Sequence, residues 1–125
     1  MAQQFDLGII GGGPAGYTAA FHARAKGLSV VLFEKDNIGG ICLNRGCIPT
    51  KTILHSAELY EEMKTAQDLG IKAENLSLDY SKIVERKDKI VEKLRRSLAL
   101  SLKNSGVVVV NAEASIPNLP HQATG

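Results

Sequence analysis

The chain has 125 residues, 44% of them apolar, and a formal charge of +2 with acids and bases mixed. That suits one domain with a hydrophobic core, and the small net charge offers no case for nucleic acid or an anionic membrane as partner. No apolar run approaches the ~20 residues of a membrane span, and the start, Met1-Ala2-Gln3-Gln4-Phe5-Asp6, lacks the basic stretch of a signal peptide.

Phe5 to Ile10 reads as a short strand, with Leu7, Ile9 and Ile10 apolar. It runs directly into Gly11-Gly12-Gly13-Pro14-Ala15-Gly16, which fits G-x-G-x-x-G. The alanine-rich stretch Tyr17 to Lys26 is helix-compatible, and Gly27 stops it. Ser29 to Phe33 is a second, β-branched strand that ends on Glu34. Each glycine has a mechanical task in such a unit. Gly11 makes the tight strand-to-helix turn, Gly13 lets backbone approach a pyrophosphate, and Gly16 lets helix and strand pack closely. The pyrophosphate, flanked by Pro14 and Ala15, would meet the unpaired N–H groups of the helix start. Glu34 follows Gly11 at about the ~20 residues expected of the acid that takes ribose hydroxyls. An acid there rather than a base predicts FAD or NAD and not NADP. The competing reading is a glycine-rich turn in an unrelated α/β domain.

Lys35 to Gly40 is a loop leading into Gly39-Gly40-Ile41-Cys42-Leu43-Asn44-Arg45-Gly46-Cys47-Ile48-Pro49-Thr50-Lys51, which holds both cysteines of the chain. A disulfide closing so short a loop stabilises weakly, and two cysteines alone cannot make a zinc site. The spacing argues for a redox pair more than a staple, with two inert buried thiols as the alternative. In a regular helix residues five apart lie ~8–9 Å apart, whereas a disulfide needs Cα atoms within ~7 Å. If Cys42 and Cys47 pair, the backbone between them leaves helical geometry, and Gly46 permits that. Pro49 suits the first turn of a helix starting nearby. Cys47 would then lie at a helix N-terminus, where a thiolate is favoured, with Lys51 adding a cation. An exchangeable pair without a signal peptide predicts the cytoplasm, where disulfides are more often catalytic than structural.

Thr50 to Ala66 keeps a helical rhythm through Ile53, Leu54, Ala57, Leu59, Tyr60 and Met63, and Gly70 closes the helix or its extension. Ile71 to Tyr80 is a polar connection, and Asp79 or Ser81 can cap a long helix from about Ser81 to Asn104. Its stripe is Ile83, Val84, Ile90, Val91, Leu94, Leu98 and Leu102. Its many lysines and arginines read as a solvated face, since no aromatics interleave them for nucleic acid. Gly106 ends it, and Val107 to Val110 is a third strand whose unbroken valines predict burial on both faces. The fold class is therefore α/β: a Rossmann-like parallel sheet with a three-stranded core and a long helical crossover from Gly39 to Ser105. Residues 1–115 form the nucleotide-binding part, and 116–125, with two prolines, a loose tail. His22, His55 and Tyr17 read as structural or surface residues. No metal site is expected.

The cysteine stretch joined to the glycine fingerprint resembles the FAD-dependent pyridine nucleotide–disulfide oxidoreductases, over Phe5 to roughly Ser115. Cys-Leu-Asn-x-Gly-Cys-Ile-Pro-x-Lys is most similar to the dihydrolipoamide-oxidising branch; glutathione and mercuric reductases usually carry valine where this chain has Leu43 and Ile48. The resemblance implies FAD on Gly11, Gly13, Pro14, Ala15, Gly16, Glu34 and Lys35, with backbone near Ala114 approaching the adenine. It implies that Gly40, Ile41, Cys42 and Lys51 approach the flavin ring. Cys47 would be the inner, charge-transfer thiolate, and Cys42 the outer thiol that exchanges with substrate. It further implies NAD as co-substrate, a lipoyl domain or small disulfide as partner, and a homodimer. Three departures stand out. Ile41 replaces a common threonine, and Arg45 adds a charge where the family is often small and apolar. The NAD and interface domains are not in this sequence, and Ala123-Thr124-Gly125 is similar to a family strand that normally comes later. The chain thus reads as an N-terminal piece or truncated product, inactive alone.

Overall fold

A computed structural model describes residues 3–116; the expected loose tail, 116–125, lies outside them except for its first residue, Ile116. The order is β1 (Leu7–Ile10), α1 (Pro14–Ala25), β2 (Val30–Glu34), α2 (Gly40–Arg45), α3 (Cys47–Thr65), a 3₁₀ turn (Ala66–Leu69), α4 (Tyr80–Asn104) and β3 (Val108–Asn111). Among the described residues the strands form one parallel sheet in the order β1-β2-β3, with Leu7 beside Val30, Ile9 beside Leu32 and Leu32 beside Val109. This is the expected Rossmann-like α/β arrangement, with the long helical crossover joining β2 to β3.

The period of two along each strand decides what is buried. Val30 and Leu32 of the central strand meet Ala20 and Ala23 of α1 and Leu102 of α4, and Leu32 is fully buried. Leu7, Ile9, Phe21 and Leu98 pack around this cluster. Alanines on α1 let the helix come close to the strands. Both crossovers move the same way across the sheet, so right-handed connections put α1 and α4 on one face. Ile10, on the other face, is 56% exposed.

Local chemistry sets the element ends. Asp79 caps α4 by accepting from the Lys82 N–H at 3.2 Å, so of the two expected caps the acid is used. Arg24 donates to Ser105 O at 2.9 Å and to Leu28 O at 2.8 Å, which ties the end of α4 to the α1–β2 turn. The Asp6 carboxylate accepts from the Ser29 N–H at 2.7 Å and its hydroxyl at 2.6 Å, which holds its pKa below the ordinary carboxylate value.

Two expectations about burial are corrected. β3 is an edge strand, not one buried on both faces, and Val109 is 42% exposed. Its valines report β-branched strand preference, and no element pairs with its outer edge among the described residues. α3 has the expected helical rhythm, yet only Thr52 is buried and Leu59 is 51% exposed. The helix packs along α4 and not on the sheet. The helical boundaries also shift: α1 begins at Pro14, and residues 40–49, expected as loop and cysteine stretch, are largely helical. On α4, Lys82, Lys89 and Arg96 stand in solvent, paired with Asp79, Glu85 and Glu92. Such pairs contribute little each. Among the described residues no helix is long and apolar enough to cross a membrane.

The closest fit in the layer is at Gly16, where a Cβ would stand 1.9 Å from Gly11 O. Gly16→Ala is expected to push α1 off β1 and cost about 1–3 kcal/mol or more, read as a lower urea midpoint. An unchanged midpoint would contradict the packing described.

Candidate functional site

β1 hands the chain to α1 through Gly11, whose φ of +100° only glycine adopts easily. Its N–H donates to Phe33 O at 2.8 Å, continuing the β1–β2 ladder to the turn. Gly13 stands at the N-cap of α1 without a side-chain cap, and Pro14 takes the first helical position, where a missing N–H is harmless. The N–H groups of the first turn, around Ala15 and Gly16, have no partner within the helix. A broad cleft of about 510 Å³ opens along Gly11, Gly13, Pro14, Ala15 and Gly16.

Glu34 ends β2 and turns back over the glycine turn. One carboxylate oxygen accepts from the Gly12 N–H and the other from the Asp36 N–H, each at 2.8 Å. Each oxygen keeps further acceptor capacity. Beside it lies a cavity of about 440 Å³ at the carboxyl ends of the strands, the end where open α/β sheets bind ligands. Glu34, Lys35 and Ala114 line one part of it and Gly40 and Ile41 another. Lys35 and Glu113 form an exposed ion pair of 3.1 Å at its rim.

The loop after β2 returns to the glycine turn before α2 begins. Gly39 (φ +101°) donates its N–H to Gly12 O at 2.8 Å. Gly40 (φ +60°) lies so close that a Cβ on it would be 2.7 Å from Gly13 Cα. The start of α2 thus rests backbone to backbone on the nucleotide-type turn. Asn44 stitches this loop, its side-chain NH₂ donating to Gly40 O at 2.9 Å, Ile38 O at 3.1 Å and Asn37 O at 3.2 Å. Arg45, which the sequence marks as an added charge, pairs with Asp36 across the same loop.

α2 stops at Gly46, whose φ of −125° and ψ of −104° leave helical geometry, and α3 starts at Cys47. Cys42 and Cys47 are disulfide-bonded with Cα atoms 4.8 Å apart, well inside the ~8–9 Å of an unbroken helix. Cys47 is exposed and Cys42 half-buried. Cys47 opens a 19-residue helix with Pro49 in its first turn. Lys51, one turn further along, is exposed. α3 is held by the buried Thr52, whose hydroxyl donates to Ile48 O at 2.8 Å and whose carbonyl accepts from Arg86 of α4 at 3.2 Å. His22 and His55 are exposed, and Tyr17 packs edge-on against Phe21.

Residues 5–122 match the pyridine nucleotide-disulphide oxidoreductase family. The chain belongs to that family. Curated relatives include the dihydrolipoyl dehydrogenase of Acholeplasma laidlawii, 45% identical over 117 residues, which are 93% of this chain and 35% of that protein. The dihydrolipoyl dehydrogenase of Bacillus subtilis is 44% identical over 109 residues, 87% of this chain and 23% of that one. That of Geobacillus stearothermophilus is 42% identical over 106 residues, 85% and 23% of the two chains. The chain therefore spans about a quarter to a third of the length of these relatives.

Of the residues named from the sequence, the structure gathers the glycines of the turn, Pro14, Ala15, Glu34, Lys35, Gly40, Ile41 and Ala114 around two adjoining clefts, whereas Cys42, Cys47 and Lys51 line neither. Sequence reasoning missed Gly12 and Asn44. A polar side chain between two cysteines, just after a Gly-Gly pair, was the available signal for Asn44.

The contact of Gly40 with Gly13 can be weighed against a neutral glycine. Gly70 also has positive φ (+80°) but has open space around a Cβ. Gly70→Ala is expected to cost the ~1–2 kcal/mol of left-handed strain alone. Gly40→Ala adds an overlap with backbone that cannot rotate away, for a total of about 3 kcal/mol or more. Urea unfolding of the two variants measures the difference, and equal costs would contradict the contact.

Proposed function

We propose that this chain carries the FAD-binding and disulfide-bearing part of a dihydrolipoyl dehydrogenase. The observation that supports this most is the joint between its two motifs: the helix bearing Cys42 starts on the glycine turn itself, and one cavity is lined by Glu34, Ala114, Gly40 and Ile41. The residues present fit the dinucleotide. Gly16 has no room for a side chain against Gly11 O, Gly11 holds the left-handed turn, Gly13 leaves the helix start bare, and Glu34 has acceptor capacity for ribose hydroxyls.

In this reading Gly11, Gly13, Pro14, Ala15 and Gly16 hold the pyrophosphate through backbone N–H groups and the partial positive charge of the α1 terminus. Glu34 takes the adenosine ribose, Lys35 stands at the rim, and backbone at Ala114 meets the adenine. Gly40, Ile41, Cys42 and Lys51 face the flavin end. Bound there, FAD would supply a two-electron acceptor for the reduced cysteines, with NAD as the co-substrate of the whole protein.

The protein's own step is thiol–disulfide exchange. A thiolate of a dihydrolipoyl group attacks Cys42 sulfur, forms a mixed disulfide and releases Cys47 as thiolate. The second lipoyl thiolate then attacks the lipoyl sulfur of that mixed disulfide, closes the lipoyl ring and releases Cys42. Two electrons leave the substrate and reside in the Cys42, Cys47 dithiol. Cys47 suits the leaving role because it opens α3, where the helix terminus favours a thiolate. Lys51 adds a cation one turn away. The whole protein would work in the cytoplasm as a homodimer, with the lipoyl domain of a 2-oxoacid dehydrogenase complex as partner.

The two thiols are told apart by single substitutions in the purified chain with added FAD. Cys42→Ser leaves the Cys47 thiolate, the one this reading sets against the flavin, and is expected to show a long-wavelength absorption band beside the flavin peak. Cys47→Ser is expected to lack it. A band in Cys47→Ser and none in Cys42→Ser would reverse the assignment, and no bound flavin in any variant would remove the FAD reading.

A further inference from the structure

Asn44 lies inside the ring that the disulfide closes, yet it is neither thiol nor helix cap. Its NH₂ group reaches three carbonyls, those of Asn37, Ile38 and Gly40, so its two hydrogens are shared among three acceptors. Its own Oδ1 is buried with no hydrogen-bond partner. A group that leaves one of its oxygens unsatisfied incurs a desolvation cost, and the three donated contacts offset it here. The carbonyls it serves belong to the loop that sets Gly39 and Gly40 in left-handed geometry against Gly12 and Gly13.

The consequence appears when the disulfide opens. Reduction removes the covalent link between Cys42 and Cys47, and Gly46 between them is a non-helical joint. α3 stays fixed by Thr52 and Arg86. On the other side, α2 is fastened to the loop beneath it by the part-buried contacts of Asn44 and by the exposed Arg45–Asp36 pair. We infer that Asn44 is a positioning residue that keeps the reduced Cys42 within reach of Cys47, and so sets how readily the pair closes again. The inference rests on the exchange chemistry proposed above but not on FAD or on the lipoyl substrate.

The test is the dithiol–disulfide equilibrium of the purified chain, read by thiol trapping across ratios of oxidised to reduced dithiothreitol. In this exchange dithiothreitol gives two electrons and two protons to the Cys42–Cys47 bond and closes its own disulfide ring. Asn44→Ala is expected to be half-reduced at a ratio about tenfold more oxidising than the unaltered chain, a shift of about 30 mV. Asp79→Ala, which removes the remote α4 cap at a typical cost of ~1 kcal/mol, is expected to leave the midpoint in place. If Asn44→Ala does not fold, Asn44→Asp keeps the shape while setting a carboxylate against the three carbonyls, and the same direction of shift is expected. An unmoved midpoint in the folded Asn44 variant overturns the inference. So does an equal shift in Asp79→Ala, which would make the effect one of general stability. A chain that shows the Asn44 shift but binds no flavin would separate this inference from the enzymatic reading.

Discussion

Two backbones without side chains touch at the centre of this molecule. Gly39 and Gly40 lie on Gly12 and Gly13, with one N–H···O bond of 2.8 Å and a separation that no Cβ would tolerate. The placing of Glu34 and of the start of α2 follows from that contact. The loop after β2 has to return to the end of β1, so Glu34 is carried back over the turn and takes the Gly12 N–H. The helix that follows starts at the mouth of the cleft, with Gly40 and Ile41 in its lining and Cys42 next in the chain. Positive φ at both Gly39 and Gly40 is the conformational requirement, and glycine meets it with little steric penalty.

The second constraint is the break at Gly46. A continuous helix from Gly40 to Thr65 would hold the two sulfurs too far apart to bond. Interrupting it at one residue brings the Cα atoms to 4.8 Å and leaves Cys47 as the first residue of α3. The same break therefore serves both geometry and electrostatics, since it creates a helix terminus at the sulfur that benefits from one. Thr52 and Arg86 anchor α3 to the first part of α4, and Arg24 ties the far end of α4 to the α1–β2 turn, so α4 links the disulfide helices to the sheet layer.

Much of this was legible in the residues. The glycine pattern, the Ala-rich helix and the acid after the second strand are local signals with fixed spacing, and the alternation of strand and helix points to a parallel sheet. The distance argument on Cys42 and Cys47 foretold a departure from helix at Gly46. Burial was less legible. Val107 to Val110 carries strand preference whether or not a further layer covers it, and the apolar rhythm of α3 marks a helix without saying which neighbours meet it. Asn44 could be noticed as a polar residue between the cysteines, but its role could not be read, because it depends on three carbonyls brought together by a loop fold.

The account's central claim is that the glycine turn and the disulfide helices are one mechanical unit. Amide hydrogen exchange at Gly39 tests it most directly, because that N–H is the bond between them. The account predicts protection comparable to the amides of β2, the central strand. Exchange at the rate of an open loop, with β2 still protected, would contradict it.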